Sequence, residues 1–323
     1  MELIKIEDRR AAIKIEDRIV SFPWMGKEYT KLMKQTLENL GLNVHLPPKT
    51  TRKTINLGVK NSAEMMCFPY KVTLGNFIES LENGANTLLM WDSRGTCRLR
   101  HYHKLHEFTL NHLGYDGFEM YGISGKNLIG TLKKLSGKSR IDVIKEVYFN
   151  FPKKLKEYDA KKTRWSDEKP NIGIIGEIYS ALDETINYGI ENKIKSYGAN
   201  PFNTVTLTDF IGDNLLFKKF IPFIKDEKKK YKIEASKYLN GKLGGHGFEN
   251  IYNLLELVDK KVDGVVHLLP LTCMPETTIE PFVNQICKDN RVPLLRIPID
   301  ENNSEANLET RIETFVELIK MLK

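Results

Sequence analysis

Eight short apolar runs punctuate the chain, and most are followed by a turn and then a stretch with helical spacing of its apolar residues. The runs are "RIVSF" (18–22), "LNVHL" (42–46), "TLLMW" (87–91), "FEMYG" (118–122), "NIGIIG" (171–176), "NTVTL" (203–207), "GVVHLL" (264–269) and "PLLRIPI" (293–299). Continuous apolar runs, rather than strict alternation, belong to strands buried on both faces of a parallel sheet. The intervening pattern is helical: in "EYTKLMKQTLENLG" (28–41), Tyr29, Leu32, Met33, Leu37 and Leu40 form one stripe and Gly41 is a stop signal. Strand, turn and helix in repetition specify an α/β chain with parallel sheets.

At 323 residues the chain exceeds the size at which one core stops growing, roughly 250–300 residues. Two domains are therefore expected, and an internal echo supports them. "RIVSFPWMGKEYTKLMKQTLENLGLNVHLPP" and "NIGIIGEIYSALDETINYGIENKIKSYGANPFNTVTL" share the layout strand, Gly-containing turn, helix, Gly stop, strand. Residues 124–170 lack the strand pattern, are helical and Lys-rich, and end in the linker-like "SDEKPN". The boundary is placed near 168, giving an N-terminal domain of residues 1–168 and a C-terminal domain of 169–323 with a helical insert at about 209–240.

Composition excludes several classes. The net charge of +7 sits largely in runs such as "KDEKKKYK", which read as solvated helix faces, and no zinc-finger, RNA-recognition or helix-turn-helix signature accompanies it. Nucleic acid is thus not an expected partner. No apolar run approaches the roughly 18 residues of a membrane span, and the opening "MELIKIEDRRAAIKIEDR" is charged throughout, unlike a signal peptide. A cytoplasmic protein with no membrane partner is the expectation.

Three of the four cysteines share a position in this pattern. Cys67 precedes "FPYKVTLGNFIESLENG"; Cys97 follows "TLLMW" and "DSRGT" and precedes "RLRHYHKLHEFTLNHLG"; Cys273 follows "GVVHLLPLT" and precedes "MPETTIEPFVNQI". Each stands just before a helix, two of them shortly after a strand. In an open α/β sheet that slot is the carboxyl edge, where ligands bind and helix N-termini favour anionic centres such as thiolates. Pro69 and Pro275 suit a first helical turn. Cys287 differs: it lies at helical spacing from Ile279, Phe282, Val283 and Ile286 and reads as core. Free cysteine is commonly buried, so plain burial is the competing reading for the other three. Structural zinc takes four ligands, usually from close Cys pairs that are absent here; a three-cysteine catalytic zinc is unusual; an iron–sulfur cluster accepts thiolates from distant segments.

"CFPYKVTLGNFIESLENGANTLLM", "RGTCRLRHYHKLHEFTLNHLGY", "GIIGEIY", "GGHGFENI", "DGVVHLLPLTCMPE" and "VPLLRIPIDENNSEANLETRIETFVELIK" together resemble the 2-hydroxyacyl-CoA dehydratase D-component family, particularly its activase-related, free-standing members. The likeness runs from about residue 18 to the C-terminus. It implies two Rossmann-like or flavodoxin-like domains with a 4Fe-4S cluster in the cleft between them, ligated by Cys67, Cys97 and Cys273. It implies as partners an ATP-dependent, ASKHA-type activase that donates a low-potential electron, a second dehydratase-like subunit or a second copy of the chain, and an acyl-CoA or other small-molecule substrate. The chemistry implied is radical dehydration or a comparably difficult reduction. A complete dehydratase subunit is one alternative, and a cluster-free ligand-binding or regulatory protein is another. Where family members often carry Gly-Pro or Gly-Gly near the second cysteine, this chain has Arg94, Arg98 and Arg100. Four cysteines argue against a double-cubane within one chain.

Other candidates are weaker. His246 in "GGHGFENI" is an acid or base candidate in a turn glycine-rich enough to let backbone approach a ligand. Glu177 and Tyr179 in "GEIY" follow the first strand of the second half and are expected to line the same cleft. Of His101, His103 and His106, only the last two share a helix face, and a surface or interface role is expected. Glu276 is expected to favour a helix N-terminus.

Overall fold

The computed structural model describes residues 13–93, 95–162, 164–214, 228–239 and 243–323. It contains two four-stranded sheets, and every strand pair in both is parallel. The first comprises β1 (Ile19–Ser21), β2 (Asn43–Val44), β3 (Thr87–Trp91) and β4 (Glu119–Ile123) in the order β2-β1-β3-β4. The second comprises β5 (Asn171–Gly176), β6 (Asn200–Asn203), β7 (Gly264–Pro270) and β8 (Leu294–Ile299) in the order β6-β5-β7-β8. The two halves therefore repeat one topology, as the internal echo implies. β5 and β7 are almost wholly buried along their lengths, which is why they read as continuous apolar runs.

Seven of the eight expected strands lie where the apolar runs place them, within a residue or two. The exception is the run 203–207, where β6 ends as the expected strand begins. Asn203 Oδ1 accepts the Val205 N–H (3.0 Å), and Thr206 Oγ1 accepts the Asp209 N–H at the start of the helix Leu207–Asn214. Side chains that take up neighbouring N–H groups convert a β-prone stretch into a turn and a helix start. The 124–170 stretch is helical as expected, with helices Leu128–Ser136, Arg140–Lys145 and Phe151–Lys162 and a π-turn at Glu146–Asn150. Much of the insert expected at 209–240, and Arg94, lie outside the described residues.

In each sheet the chain leaves the second-listed strand to one side and returns on the other, so the crevice between β1 and β3, and between β5 and β7, is a topological switch point. The two crevices lie against one another through backbone contacts. Gly95 bridges Gly244, the Thr96 N–H and hydroxyl both donate to Leu243 O (3.2 and 2.9 Å), and the Phe68 N–H donates to Leu271 O at 3.1 Å. Farther out, Lys71 Nζ pairs with Glu301 Oε1 at 2.6 Å, and Arg52 Nη1 donates to Glu301 O. The helix Phe68–Glu82 is fixed on its other side by a close approach to the helix Arg52–Lys60: a Cβ on Gly58 would stand 1.6 Å from Lys71 O, and one on Gly75 2.0 Å from Thr54 O.

Candidate functional site

Cys67, Cys97 and Cys273 are each the N-cap residue of the helical segment that follows: the helix Phe68–Glu82, the 3-10 turn Arg98–His101 leading into the helix Tyr102–His112, and the helix Met274–Asp289. All three have extended backbones and none caps its own helix through its side chain. Pro69 and Pro275 occupy the first turns of two of these helices, where the missing N–H costs nothing. The three residues line one small pocket together with Arg98, Tyr102, Glu177, His246 and Glu276. Its volume, about 20 Å³, matches roughly one water.

The pocket wall is built at close quarters. Gly245, at φ +62°, lies against Pro275 and Cys97; an added Cβ would stand 2.8 Å from Pro275 Cγ and 3.3 Å from Cys97 Sγ. Thr272, immediately before Cys273, has φ +58°. A β-branched residue in the left-handed region is a true backbone outlier, costing about 1–3 kcal/mol. Cys67 Sγ lies 2.5 Å from the buried Tyr102 hydroxyl. Arg98 is exposed, anchors on Met65 O, and is the charge that favours a Cys67 thiolate; Arg100 is exposed.

Burial dominates the electrostatics. Helix N-termini are expected to lower thiol pKa values, yet burial pushes all three thiols up: Cys97 to about 11, Cys67 in the same direction against the Tyr102 hydrogen bond, and Cys273 well above its usual range with Glu276 and Glu177 adding to the effect. Desolvation of a buried thiolate outweighs the partial charge of the helix end. Burial also raises the Glu177 carboxyl to about 7, against the hydrogen bonds it accepts from the Ser180 backbone and hydroxyl. Among the described residues, no group of three His, Cys, Asp or Glu side chains is arranged to hold a single metal ion.

Glu276 does more than face a helix N-terminus. It is fully buried, 2.7 Å from His267 Nε2, and accepts both carboxylate bonds from Asn250 Nδ2, while Asn250 also bonds the backbone of Gly176. This network ties the end of β5, the helix Gly247–Asp259 and the helix behind Cys273 into one block. Its buried His267 lies inside the apolar run of β7, so sequence reading passes over it; the one signal is a polar residue in a strand otherwise apolar on both faces.

Tyr179 does not join the pocket. It turns to a separate apolar cavity of about 130 Å³ at the carboxyl edge of the first sheet, between Phe22, Leu89 and Trp91 on one side and Ile178, Leu207 and Phe210 on the other. His246 faces the cysteine pocket and stacks on Phe210 (5.1 Å between centroids). The histidines after Cys97 divide: His103 Nδ1 pairs with Asp92 at 2.6 Å, whereas His106, expected near the surface, is fully buried, stacked on Tyr70 at 4.3 Å and bonded to Thr73, with burial driving its pKa down to about 3. One face of the helix Tyr102–His112 packs on the helix Phe68–Glu82, and His106 lies on it. Cys287 is core, packed with Ile279, Val283 and Ile286.

Fold and pocket together define a parallel α/β protein with two like halves and a thiol-lined pocket where their switch points meet. Residues 216–319 match the family model described as 2-hydroxyglutaryl-CoA dehydratase, D-component, and residues 25–91 match the one described as CoA enzyme activase uncharacterised domain. Over those two segments the chain is similar to the 2-hydroxyacyl-CoA dehydratase D-component family and to its activase-related proteins. Cys67 falls within one match and Cys273 within the other, while Cys97 and Glu177 lie between them. No curated protein matches the chain. Among the described residues no helix is long and apolar enough to cross a membrane.

Proposed function

We propose that this chain is the cluster-bearing component of a dehydratase-type system, with Cys67, Cys97 and Cys273 as the thiolates that hold a 4Fe-4S cluster between its two domains. The observation that carries the reading is the delivery of three cysteines, from three separate helix starts, to one pocket at the paired switch points. The donor set fits: three soft thiols with no side-chain capping duties suit iron–sulfur chemistry, and their raised pKa values in the free protein mean that loading must release protons.

When bound, such a cluster supplies a low-potential electron, received here from an ATP-dependent, ASKHA-type activase. The chain's own residues hold the rest of the site. Tyr102 offers a hydroxyl to the Cys67 sulfur, Arg98 places positive charge at the mouth, and the Glu276–His267–Asn250 block fixes the start of the helix behind Cys273. Glu177, with a pKa near neutrality, holds or releases a proton at its carboxyl, and His246 is a second proton carrier at the pocket wall. An acyl-CoA or another small molecule is the substrate class, and a second dehydratase-like subunit or a second copy of the chain is the proposed assembly partner. A cytoplasmic setting accords with reducing chemistry of this kind.

Anaerobic reconstitution tests the reading. The wild-type chain should take up about four irons with matching sulfide and show a reduced-state EPR signal. Single Cys67→Ala, Cys97→Ala and Cys273→Ala variants should each lose most of the iron, whereas Cys287→Ala should retain it. Wild-type protein without iron or sulfide, or cysteine variants that load normally, overturns the proposal in favour of a cluster-free ligand-binding protein. CoA-ester turnover with activase and ATP distinguishes a complete dehydratase from a redox component.

A further inference from the structure

We propose that the apolar cavity beside the cysteine pocket is a binding site for one small uncharged hydrocarbon group, an aromatic ring or a branched chain of about six carbons. Protein interiors pack to crystal-like density, and an apolar void of about 130 Å³ is close to the roughly 150 Å³ that takes up benzene and stays dry. Among the described residues the lining supplies no ionised side chain. A carboxylate entering it would be buried without a partner, which a dry apolar site does not tolerate.

Thr36 Oγ1 and Trp91 Nε1, the polar atoms of two lining residues, are covered by protein and do not open onto the cavity, so the surface it presents is almost wholly apolar.

The cavity shares a wall with the cysteine pocket. Leu99 lines both, Glu177 faces the pocket while the next residue, Ile178, faces the cavity, and the stacked pair His246–Phe210 spans the partition, with Trp91 edge-on to Phe210 at 5.4 Å. Resting on the function proposed above, the hydrocarbon is the side chain of the substrate whose reacting carbons lie at the cysteine pocket. This chain then selects apolar substrates. The matched family model carries glutaryl, a dicarboxylic acyl group, in its description, and a second carboxylate is what this cavity refuses.

Ligand binding to iron-free protein isolates the cavity from the cluster. Benzene should raise the melting temperature at saturation by about 2 °C or more, while benzoate and glutarate at equal concentration should bind on the order of a hundredfold more weakly. Met33→Trp, at the partly exposed rim, and Leu132→Phe, within the lining, should abolish the benzene shift while keeping the wild-type circular dichroism spectrum. Absence of a shift with benzene, equal binding of benzoate, or full retention of the shift in a folded filling variant overturns the proposal. Because no iron is present, those outcomes leave the cluster assignment standing, and a chain that binds benzene but never takes up iron sinks the functional reading alone.

Discussion

At the scale of single residues, the pocket is held by positions where the backbone or a polar side chain has no freedom to change. Gly245 illustrates the first kind: its positive φ and its contact with Pro275 and the Cys97 sulfur leave no room for a methyl group. Gly245→Ala should destabilise the protein by about 1–3 kcal/mol in chemical denaturation, and Cys97 in that variant should react faster with a thiol reagent as the wall opens. Glu276 illustrates the second. Replacing it with alanine leaves Asn250 and His267 buried without their acceptor, at a cost of roughly 2–4 kcal/mol, whereas Glu276→Gln keeps the shape and should cost less. Equal losses for the two variants would show that packing, not the hydrogen-bonded block, is what Glu276 contributes.

Elements place these residues by the way they start and by how closely they approach one another. The helix Phe68–Glu82 is almost wholly buried over its first thirteen residues, so its apolar pattern is not one stripe, and Cys67 at its N-cap is fixed by contacts on all sides. The closest of these is the crossing with the helix Arg52–Lys60. Gly75→Ala drives a Cβ to 2.0 Å from the Thr54 carbonyl, so the helices must separate; a loss of about 1–3 kcal/mol is expected, read as a lower urea midpoint with unchanged slope. If the substitution proves neutral, that helix pair is looser than the contact implies. The strand-to-helix turns after β5 and β7 work differently, through a switch-point crevice rather than through a crossing, and for that reason Glu177 and Cys273 reach the same pocket from neighbouring strands.

Across the whole molecule, the junction between the halves carries charge that water does not reach freely. Lys71 is almost fully buried and paired with Glu301, so Glu301→Gln should cost roughly 3 kcal/mol by stranding the ammonium, and Lys71→Met should cost less. Asp183 sits at the same junction, accepting a hydrogen bond from Thr50, and burial lifts its carboxyl to about 6 from an ordinary 3.8. A raised acid pKa means that the folded state binds the proton more tightly than the unfolded chain does. Stability contributed by the protonated carboxyl is therefore present below about pH 4 and is lost as pH rises through about 6, a change of about 3 kcal/mol. Glu177 leans the same way, so the measurement is a comparison: Asp183→Asn should flatten the fall in melting temperature between pH 4 and 6.5 that the wild type shows. Parallel pH profiles for the two proteins would assign no such role to Asp183.

Much of this was legible before any coordinates, and the rest could not have been. Local patterns fixed the strands, since a run such as "NIGIIG" has no other way to bury both faces, and they fixed the helix starts at Pro69 and Pro275. The same patterns put the three cysteines in one slot and Cys287 in a helix core. Where a polar side chain competed with the local pattern, as Asn203 and Thr206 do against a strand at 203–207, reading by hydrophobicity failed. His106 and Glu276 read as surface and helix-end residues because their partners, Tyr70 and Thr73 in one case and Asn250 and His267 in the other, come from other segments. Tyr179 and Glu177 stand two residues apart, yet they face different cavities, a division set by how the two sheet edges abut. The amino-acid sequence by itself determined the elements, their order and the chemical character of the candidate ligands, because those follow from spacing along one chain. Only the tertiary structure decided that the thiols are desolvated, that an apolar cavity lies beside them, and which carboxylates are buried, because desolvation and enclosed volume are properties of surfaces brought together from distant parts of the chain.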